Sequence, residues 1–326
     1  MIQKVKLGKQ GLLVPQQGLG CMGLTPIGAA NVYGVADEGE AIATIRRAEE
    51  LGINMLDTAD VYGPFLNERL IAKAIEGKRS DYIIASKFGF EIGDDGAFTG
   101  QFNGKPEYVR KSVERSLSNL KTDFIDLYYL HRSDPSIPIE ESIGAMGQLV
   151  QEGKIGYVGV SQLSPSALRL AHATHPISAV QSEYSLFDRT PEEDGILETT
   201  QELGIGFVAY SPLGRGFLTG EIKSPNDFDE DDFRRFWPRY SGDNFYKNLE
   251  LVQGIKAMAV QKGISSAQLA IAWVLAQGVV TIPGTKRCSF LEANAAASLV
   301  KLSQADLKQL DDLAPVGSTV GAAYPS

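Results

Sequence analysis

Cysteine, histidine and long apolar runs are all scarce in this chain of 326 residues. The two cysteines, Cys21 and Cys288, are too few for a disulfide framework or a cysteine metal site. Three histidines leave little material for a zinc centre, so the sequence predicts no bound metal. No stretch approaches the roughly 18 apolar residues of a membrane-spanning helix, and the opening residues lack the apolar segment of a secretory leader. We therefore expect a soluble, cytoplasmic protein with no membrane partner.

Positive charge is also in short supply. Lysine and arginine total 31 against 40 aspartates and glutamates, which gives a formal net charge of −9. Such a chain is not attracted to nucleic-acid phosphates, so we expect no nucleic-acid partner, and any anion site must be built locally. The composition, 43% hydrophobic and 22% charged, is typical of a globular protein with a large core and contains no signal of oligomeric state.

Short apolar runs alternate with helical patterns along most of the chain. A hairpin is predicted at 4–15, where two apolar runs flank a Gly-Lys-Gln-Gly turn. The eight candidate strands that follow are QGLG (17–20), INMLD (53–57), YIIASK (82–87), IDLYYLH (125–131), IGYVGVS (155–161), AVQSEY (179–184), GIGFVAYS (204–211) and GVVTIPG (278–284). Helical patterns between them, several of which stop at a glycine, include 37–52, 106–120, 142–153, 164–171, 192–204 and 265–277.

This alternation predicts a single (β/α)8 barrel over residues 1–326, with an N-terminal hairpin and long loops at the C-terminal face. A doubly wound sheet is the main alternative, but its G-x-G-x-x-G motif is absent between the first strand and the next helix. Two connections, 89–104 and 214–248, are unusually long, which is typical of lids and binding loops. A final helix is predicted with Ser303 as its N-cap.

Polar residues stand where the second, third and fourth candidate strands end. These residues are Asp57, Lys87 and His131, and Tyr62 follows shortly after Asp57. Taken singly, each has an ordinary structural explanation: a loop cap, a lysine at the rim, a satisfied histidine and a packed tyrosine. In a barrel, however, the strand ends form the active face, so we expect the four side chains to meet.

These four residue types fit one kind of acid–base chemistry. A tyrosine with a pKa of about 10 is a poor acid at neutral pH, and a nearby ammonium lowers that pKa. Lys87 would do this for Tyr62, with Asp57 holding the ammonium, while His131 would orient a carbonyl oxygen or relay a proton. Such a site protonates an oxygen that gains negative charge, as a carbonyl oxygen does when the carbonyl receives hydride.

Several motifs resemble those of the aldo-keto reductases, which are NADP(H)-dependent (β/α)8-barrel enzymes. They are LDTADVYG (56–63), IIASKFG (83–89), DLYYLHRSDP (126–135) and VVTIPGTKR (279–287). The stretches GLGCMGL and AYSPLGRGFLTG are most similar to the branch of plant auxin-induced-type and bacterial general reductases. The resemblance implies transfer of hydride from NADPH to an aldehyde or ketone, with Tyr62 as proton donor in a catalytic tetrad of Asp57, Tyr62, Lys87 and His131.

The same resemblance implies a cofactor site in the second half of the chain. Ser161, Gln162 and Gln181 would hold the nicotinamide carboxamide, and Tyr210 would stack on its ring. The pyrophosphate and adenosine ends would be held by Ser211, Leu213, Arg215, Gly216, Gly284, Thr285, Lys286, Arg287 and Asn294. Three positions depart from the family pattern, namely Gln162 in place of Asn, Phe290 in place of Arg and Ala293 in place of Glu.

Two other functions would use the same residues. Lys87 could be the Schiff-base nucleophile of a barrel aldolase. The resemblance also includes redox-sensing partners of membrane channels, which bind cofactor and turn over slowly. The small carbonyl substrate would be selected by the loops 22–36, 89–104 and 214–248. An apolar or aromatic pocket is predicted from Phe88, Phe90, Trp237 and Tyr240, although core packing uses the same residue types.

Overall fold

Eight parallel strands, each followed by at least one helix, form the centre of the fold. The computed structural model describes residues 2–26, 33, 36–93, 95–230 and 232–324. Its strands are β1 (Lys4–Leu7), β2 (Leu12–Pro15), β3 (Leu19–Gly20), β4 (Met55–Asp57), β5 (Ile83–Phe88), β6 (Phe90–Ile92), β7 (Phe98–Phe102), β8 (Ile125–Leu130), β9 (Ile155–Ser161), β10 (Ile177–Glu183), β11 (Gly206–Tyr210) and β12 (Val280–Thr281). Its α-helices are α1 (Glu38–Glu50), α2 (Leu66–Ala74), α3 (Pro106–Leu120), α4 (Ile139–Gln151), α5 (Pro165–Thr174), α6 (Ile196–Leu203), α7 (Gly242–Gln261), α8 (Ser266–Ala276), α9 (Cys288–Ala296) and α10 (Gln304–Leu313). Within the described ranges, no helix is both long and apolar enough to cross a membrane.

The parallel strands follow one another around the barrel in the order β3, β4, β5, β8, β9, β10, β11, β12. Two isolated parallel bridges, Gln17 to Thr281 and Gly20 to Gly284, join the region of the last strand to that of the first. The backbone N–H of Gly18 also donates to the Thr281 carbonyl at 2.8 Å. We call this junction the seam. The predicted (β/α)8 barrel is confirmed, and the doubly wound alternative is wrong because an open sheet would leave these two edges unpaired.

The hairpin formed by β1 and β2 closes the lower end of the barrel. Leu7, Leu12 and Val14 are buried and pack with inward-facing strand residues such as Met55. Gly206, at the start of β11, makes room for this plug, because a Cβ there would collide with the Leu7 side chain. The hairpin was predicted from the sequence, and its packing excludes water from the lower interior of the barrel.

A second apolar layer lies between the strands and the helices. Outward-facing strand residues such as Ile84, Tyr128 and Val180 are fully buried against the helices. Because strands of a parallel barrel are covered on both faces, they read as nearly continuous apolar runs, which is why they were found. α3 occupies the whole predicted range, and α10 begins directly after its predicted N-cap, Ser303.

The structure differs from the sequence prediction at both long connections and in helices that were not predicted. Residues 89–104, expected as a loop, contain β6 and β7, which pair as an antiparallel hairpin that the glycine-rich composition concealed. The connection predicted at 214–248 ends at Ser241, because α7 begins at Gly242. The short helix α2 was not predicted. The loop expected at 22–36 is described only in part, since residues 27–32, 34 and 35 lie outside the described ranges.

Candidate active site

The barrel interior changes from apolar to polar at the C-terminal ends of the strands. Because side chains alternate along a strand, every second residue faces the interior. On five strands an inward apolar residue is followed two positions later by a polar one. These pairs are Met55 and Asp57 on β4, Ala85 and Lys87 on β5, Leu127 and Tyr129 on β8, Ala179 and Gln181 on β10, and Val208 and Tyr210 on β11. The polar members lie at the face where barrel active sites are found.

Lys87 and Asp57 form a buried ion pair in this polar layer. The Lys87 Nζ atom donates to Asp57 Oδ1 at 2.5 Å and to the Thr58 carbonyl at 2.8 Å. The second carboxylate oxygen of Asp57 accepts from Gln181 Nε2 at 2.7 Å. Burial has the largest single effect and acts to lower the pKa of Lys87, but the charges and hydrogen bonds of Asp57 and Tyr62 together outweigh it, so the pKa is raised. Lys87 is therefore a charged ammonium in a fixed position.

Tyr62 lies over this ammonium. The Lys87 Nζ atom is 5.2 Å from the centre of the Tyr62 ring, and the phenol residue is only 8% exposed. Burial raises the pKa of Tyr62, while the charge of Lys87 acts in the opposite direction. Lys87 thus acts to lower the pKa of Tyr62, as expected, but burial raises this pKa by more. The phenol is therefore neutral at physiological pH.

His131 completes the group that was predicted from the strand ends. Its backbone N–H donates to the Phe88 carbonyl at 2.7 Å, which places it directly beyond β8. Its ring meets the Tyr62 ring edge-on at a centroid distance of 6.0 Å. Burial and the charges of Lys87 and Arg132 hold the pKa of His131 well below its usual value. The imidazole is therefore neutral, and among the described residues its buried Nδ1 has no hydrogen-bond partner.

The loop between β4 and α2 holds Tyr62 in place through backbone contacts. The N–H groups of Thr58 and Asp60 donate to the carbonyls of Ala85 and Lys87 at 2.8 and 3.1 Å. These bonds extend the pairing of β4 with β5 beyond the last strand residue. Tyr62 is thereby positioned relative to the strand that carries Lys87.

The residues expected at the nicotinamide carboxamide lie together at the ends of β9 and β10. Because Gln181 uses its amide nitrogen on Asp57, its amide oxygen remains available. The Ser161 hydroxyl accepts from Arg132 at 3.3 Å and keeps its own proton to donate. Gln162 instead donates its side-chain amide to the Tyr210 hydroxyl at 2.8 Å. The residue that departs from the family pattern thus contacts the ring that would stack on the nicotinamide.

Three of the predicted cofactor residues have a left-handed backbone. Gln162, Ser211 and Arg215 have φ angles of 55°, 52° and 56°. Residues with a side chain rarely adopt this conformation, and asparagine tolerates it better than most. Position 162 therefore suits the Asn of the family pattern in backbone terms, and Gln162 adopts a less favourable conformation. Strain of this kind is typical of functional sites that the surrounding structure maintains.

The connection after β11 places Arg215 against the barrel. Its guanidinium donates to Glu183 at 2.7 Å and lies 4.7 Å from the centre of the Trp237 ring. The backbone turns sharply here, with Gly216 at a φ of 91° and its N–H donating to the Leu213 carbonyl at 3.0 Å. The arginine expected at the pyrophosphate is therefore held by a buried carboxylate and an aromatic ring.

The loop after β12 carries two cations directly before α9. Lys286 Nζ donates to the Tyr33 carbonyl at 2.7 Å, and the exposed Arg287 lies 5.5 Å from the Phe290 ring centre. In the part of the chain that the structure describes, neither cation forms an ion pair with a carboxylate. They precede α9, whose first N–H groups favour an anion. Asn294 is buried on the same helix.

The glycine of this loop fits a close backbone approach. A Cβ at Gly284 would lie 3.0 Å from the Gly20 carbonyl oxygen across the seam. The loop is thus fixed against β3, and Thr285 orders its other side by accepting from the Arg287 N–H at 3.2 Å. Two cations without a carboxylate partner among the described residues, a helix start and a rigid glycine turn fit the adenosine phosphate of the implied dinucleotide.

Sequence reasoning missed several residues at this face. Glu183 continues the inward alternation two positions beyond Gln181, so the strand pattern could have revealed it. Arg132 directly follows His131 and contacts Ser161. Tyr324 contacts Tyr210 across 114 positions of sequence, and no local pattern signals such a contact.

The aromatic residues predicted for a substrate pocket divide into two groups. Phe88 is fully buried and stacks on Tyr128 at 5.2 Å, outside the barrel interior, and Tyr240 is buried beneath the connection after β11. For these two residues the core-packing alternative is correct, because both belong to the hydrophobic core. The Phe90 ring meets the His131 ring edge-on, with 4.9 Å between the ring centres, and Trp237 packs against the Arg215 guanidinium. Only this second pair lies at the site.

Comparison with known proteins shows extensive similarity. The model of the "Aldo/keto reductase family" matches residues 19–315. A Schizosaccharomyces pombe protein named "Aldo-keto reductase yakc [NADP(+)]" is 44% identical over 320 residues, which cover 96% of this chain and 92% of that protein. A Glycine max protein named "Probable aldo-keto reductase 1" is 45% identical over 326 residues, which cover 99% and 92% of the two chains.

Solved structures share the fold. A glycerol dehydrogenase from Gluconobacter oxydans matches with a TM-score of 0.85 and 29% identity, covering 95% of this chain and 94% of that one. An aldo-keto reductase from Bacillus halodurans in its holo form matches with a TM-score of 0.77 and 29% identity, covering 97% and 98%. The family match and the similarity of the two relatives agree with the barrel fold. The chain belongs to the aldo/keto reductase family.

Proposed function

We propose that this chain is an NADPH-dependent reductase of aldehydes or ketones in which Tyr62 donates the proton. The proposal rests on the buried Lys87 ammonium, which Asp57 holds 5.2 Å from the centre of the Tyr62 ring. An ammonium in this position stabilises the phenolate that remains when Tyr62 has given up its proton. Because Asp57 keeps Lys87 charged, Lys87 does not accept that proton itself.

Each side chain then has a separate part in the reaction. When bound, NADPH supplies the hydride that the carbonyl carbon receives. Tyr62 donates its proton to the carbonyl oxygen, on which negative charge develops. Neutral His131 donates a hydrogen bond to the same oxygen and so orients it beside the phenol. Phe90, packed against the His131 ring, shields this position from water.

The two cations of the loop after β12 support NADPH as the cofactor. Lys286 and Arg287 lie at the start of α9, where a 2′-phosphate would meet two cations and the helix dipole. This phosphate is the group that distinguishes NADPH from NADH. The name of the Schizosaccharomyces pombe relative includes NADP(+).

The surroundings of Lys87 do not favour a Schiff-base aldolase. A nucleophilic lysine must be neutral, whereas Asp57 and the Thr58 carbonyl hold Lys87 as an ammonium. A redox-sensing protein with slow turnover would use the same residues as a reductase. The rate of turnover therefore decides between these two functions.

Steady-state assays with a panel of aldehydes, ketones and sugars, followed by the loss of NADPH absorbance, test the proposal. We expect turnover by the wild type and its loss in Tyr62→Phe, with NADPH binding retained. Tyr246→Phe, which alters an exposed tyrosine on α7, is the matched control and should behave as the wild type. Binding of NADPH without turnover of any carbonyl would favour the regulatory role, and an adduct trapped on Lys87 by borohydride would favour the aldolase.

A further inference from the structure

Residues 314–324, which we call the tail, follow α10 and lie against the connection after β11. Val320 exchanges two hydrogen bonds of 3.0 Å with the buried Asn248 side chain on α7. The carbonyl of Gly321 accepts from Arg239 Nε at 3.2 Å. Because these bonds go to backbone atoms, they fix the path of the tail whatever side chains it carries.

Tyr324, near the end of this path, lies among the predicted cofactor residues. Its hydroxyl is 2.8 Å from the Tyr210 hydroxyl and accepts from Arg215 at 2.9 Å. Its ring packs at a tilt against the Trp237 ring, with 5.0 Å between the ring centres, and lies 5.2 Å from the Arg215 guanidinium. Tyr324 therefore connects the aromatic ring at the end of β11 to the connection that follows it.

The hydroxyl of Tyr210 is held by hydrogen bonds from two sides. Its hydroxyl binds Gln162 on one side and Tyr324 on the other, so the ring is held at its outer end by β9 and by the tail. Arg215 is likewise held by Glu183 and Tyr324. Without the Tyr324 hydroxyl, the Tyr210 ring and the Arg215 loop would each lose a hydrogen bond that fixes its position.

We propose that Tyr324 is a positioning residue of the dinucleotide site. It fixes the plane of the Tyr210 ring and holds the Arg215 loop closed, and cofactor exchange requires the tail to release. This proposal rests on the proposed function, because it assigns Tyr210 to the nicotinamide and the loop to the pyrophosphate. Tyr324 itself supplies no group to the chemistry.

Tyr324→Phe removes the hydroxyl but keeps the ring, so it tests the proposal with little risk to folding. We expect the Kd for NADPH to rise about tenfold, mainly through faster dissociation, as the loss of hydrogen bonds implies. Stopped-flow fluorescence measures this directly, because Trp237 lies in the cluster and Trp273 is buried in the core. Tyr246→Phe is again the matched control.

Gly321→Ala tests the same idea without changing Tyr324. Gly321 has a φ of 90°, and a Cβ there would lie 2.9 Å from the Pro238 carbonyl oxygen, so alanine displaces the tail. We expect faster NADPH dissociation and faster hydrogen exchange of the tail in both variants. In the wild type, NADPH should slow exchange of the tail.

Unchanged NADPH affinity and dissociation in both variants would overturn the proposal. Tighter binding would overturn it too, because the tail would then compete with the cofactor rather than position its site. If the wild type itself failed to bind NADPH, the proposed function would fall, and this inference with it. Hydrogen exchange of the tail, measured without cofactor, shows whether a variant has released its tail. It therefore separates loss of the tail's contacts from loss of cofactor binding.

Discussion

The side of the barrel face that carries Tyr62 and the side expected to hold the dinucleotide are built differently. On the first side, Asp57 and Lys87 occupy regular strand positions and are fixed by hydrogen bonds of 2.5 to 2.8 Å. On the second side, Gln162, Ser211 and Arg215 have left-handed backbones, and Arg215 is held by a hydrogen bond to Tyr324 of the tail.

This difference is the one that the proposed function requires. Proton donation requires constant distances between charged groups, and buried strands are among the most stable parts of a fold. A cofactor that enters and leaves requires a loop that opens, and such loops come from the less stable parts. In the proposed function, the ammonium of Lys87 is therefore held on strands, and the loop that would cover the cofactor is a strained connection.

The largest effect is expected from substitutions on the side of the barrel face that carries Tyr62. Tyr62→Phe should lower kcat for carbonyl reduction by roughly 10²–10⁴, the usual contribution of general acid catalysis, with NADPH affinity unchanged. Lys87→Met should lower it at least as much, because the charge that stabilises the phenolate is gone. The double variant should lose little more than either single one. If the two losses add in full, as steady-state kinetics would show, Tyr62 and Lys87 do not act as one unit.

The next largest effect is expected in the pH dependence of the reaction rate. Neutral His131, with its lowered pKa, and protonated Tyr62, with its raised pKa, should keep the reduction rate level between about pH 6 and 9. In the reverse direction Tyr62 must act as a base, so the rate should rise with pH. Lys87→Met should move that rise roughly 1–3 units higher, because it removes the charge that lowers the pKa of Tyr62.

Profiles of kcat/KM in both directions, measured on the wild type and on Lys87→Met, check this. An inflection near pH 6.5 in the reduction profile would mean that His131 titrates, contrary to its buried position. An unmoved rise in the reverse direction would mean that another group is the base.

On the side expected to hold the dinucleotide, Lys286→Ala should weaken NADPH binding and leave NADH binding nearly unchanged. Loss of a hydrogen bond to a charged group costs roughly 1.5–3 kcal/mol, which is about a 10- to 150-fold rise in Kd. Fluorescence titration with both cofactors measures the ratio. Lys4→Ala, at the opposite end of the barrel, is the control. Equal loss of affinity for both cofactors would place Lys286 away from the 2′-phosphate.

The smallest effect concerns backbone strain. Ser211→Gly and Lys121→Gly each replace a residue with a φ near 50° by glycine, at the cofactor side and at the end of α3. Each should raise the free energy of unfolding by about 0.5 kcal/mol, as urea titration would show. Only Ser211→Gly should also weaken NADPH binding. If its binding stays at the wild-type level, the strain at Ser211 has no part in holding the cofactor.

The sequence was most informative where structure depends on strand alternation. Asp57, Lys87 and His131 follow apolar runs, and the barrel brings such ends together, so their meeting could be predicted. The hairpin of β6 and β7 was missed because its glycines resemble those of a loop. Tyr324 was missed because its place depends on Asn248 and Arg239, which bind the tail backbone and leave no trace in the tail's own pattern.

The seam has a consequence for how the chain reaches this fold. β3 and β12 are only two residues long and lie near opposite ends of the chain, so the barrel cannot close until Gly284 has been synthesised. During translation β3 therefore remains an unpaired edge while most of the other strands emerge. Pairings between distant segments slow folding, and open edges favour association between chains. The closing loop that would hold a phosphate in the mature protein is thus also the last part of the barrel to assemble.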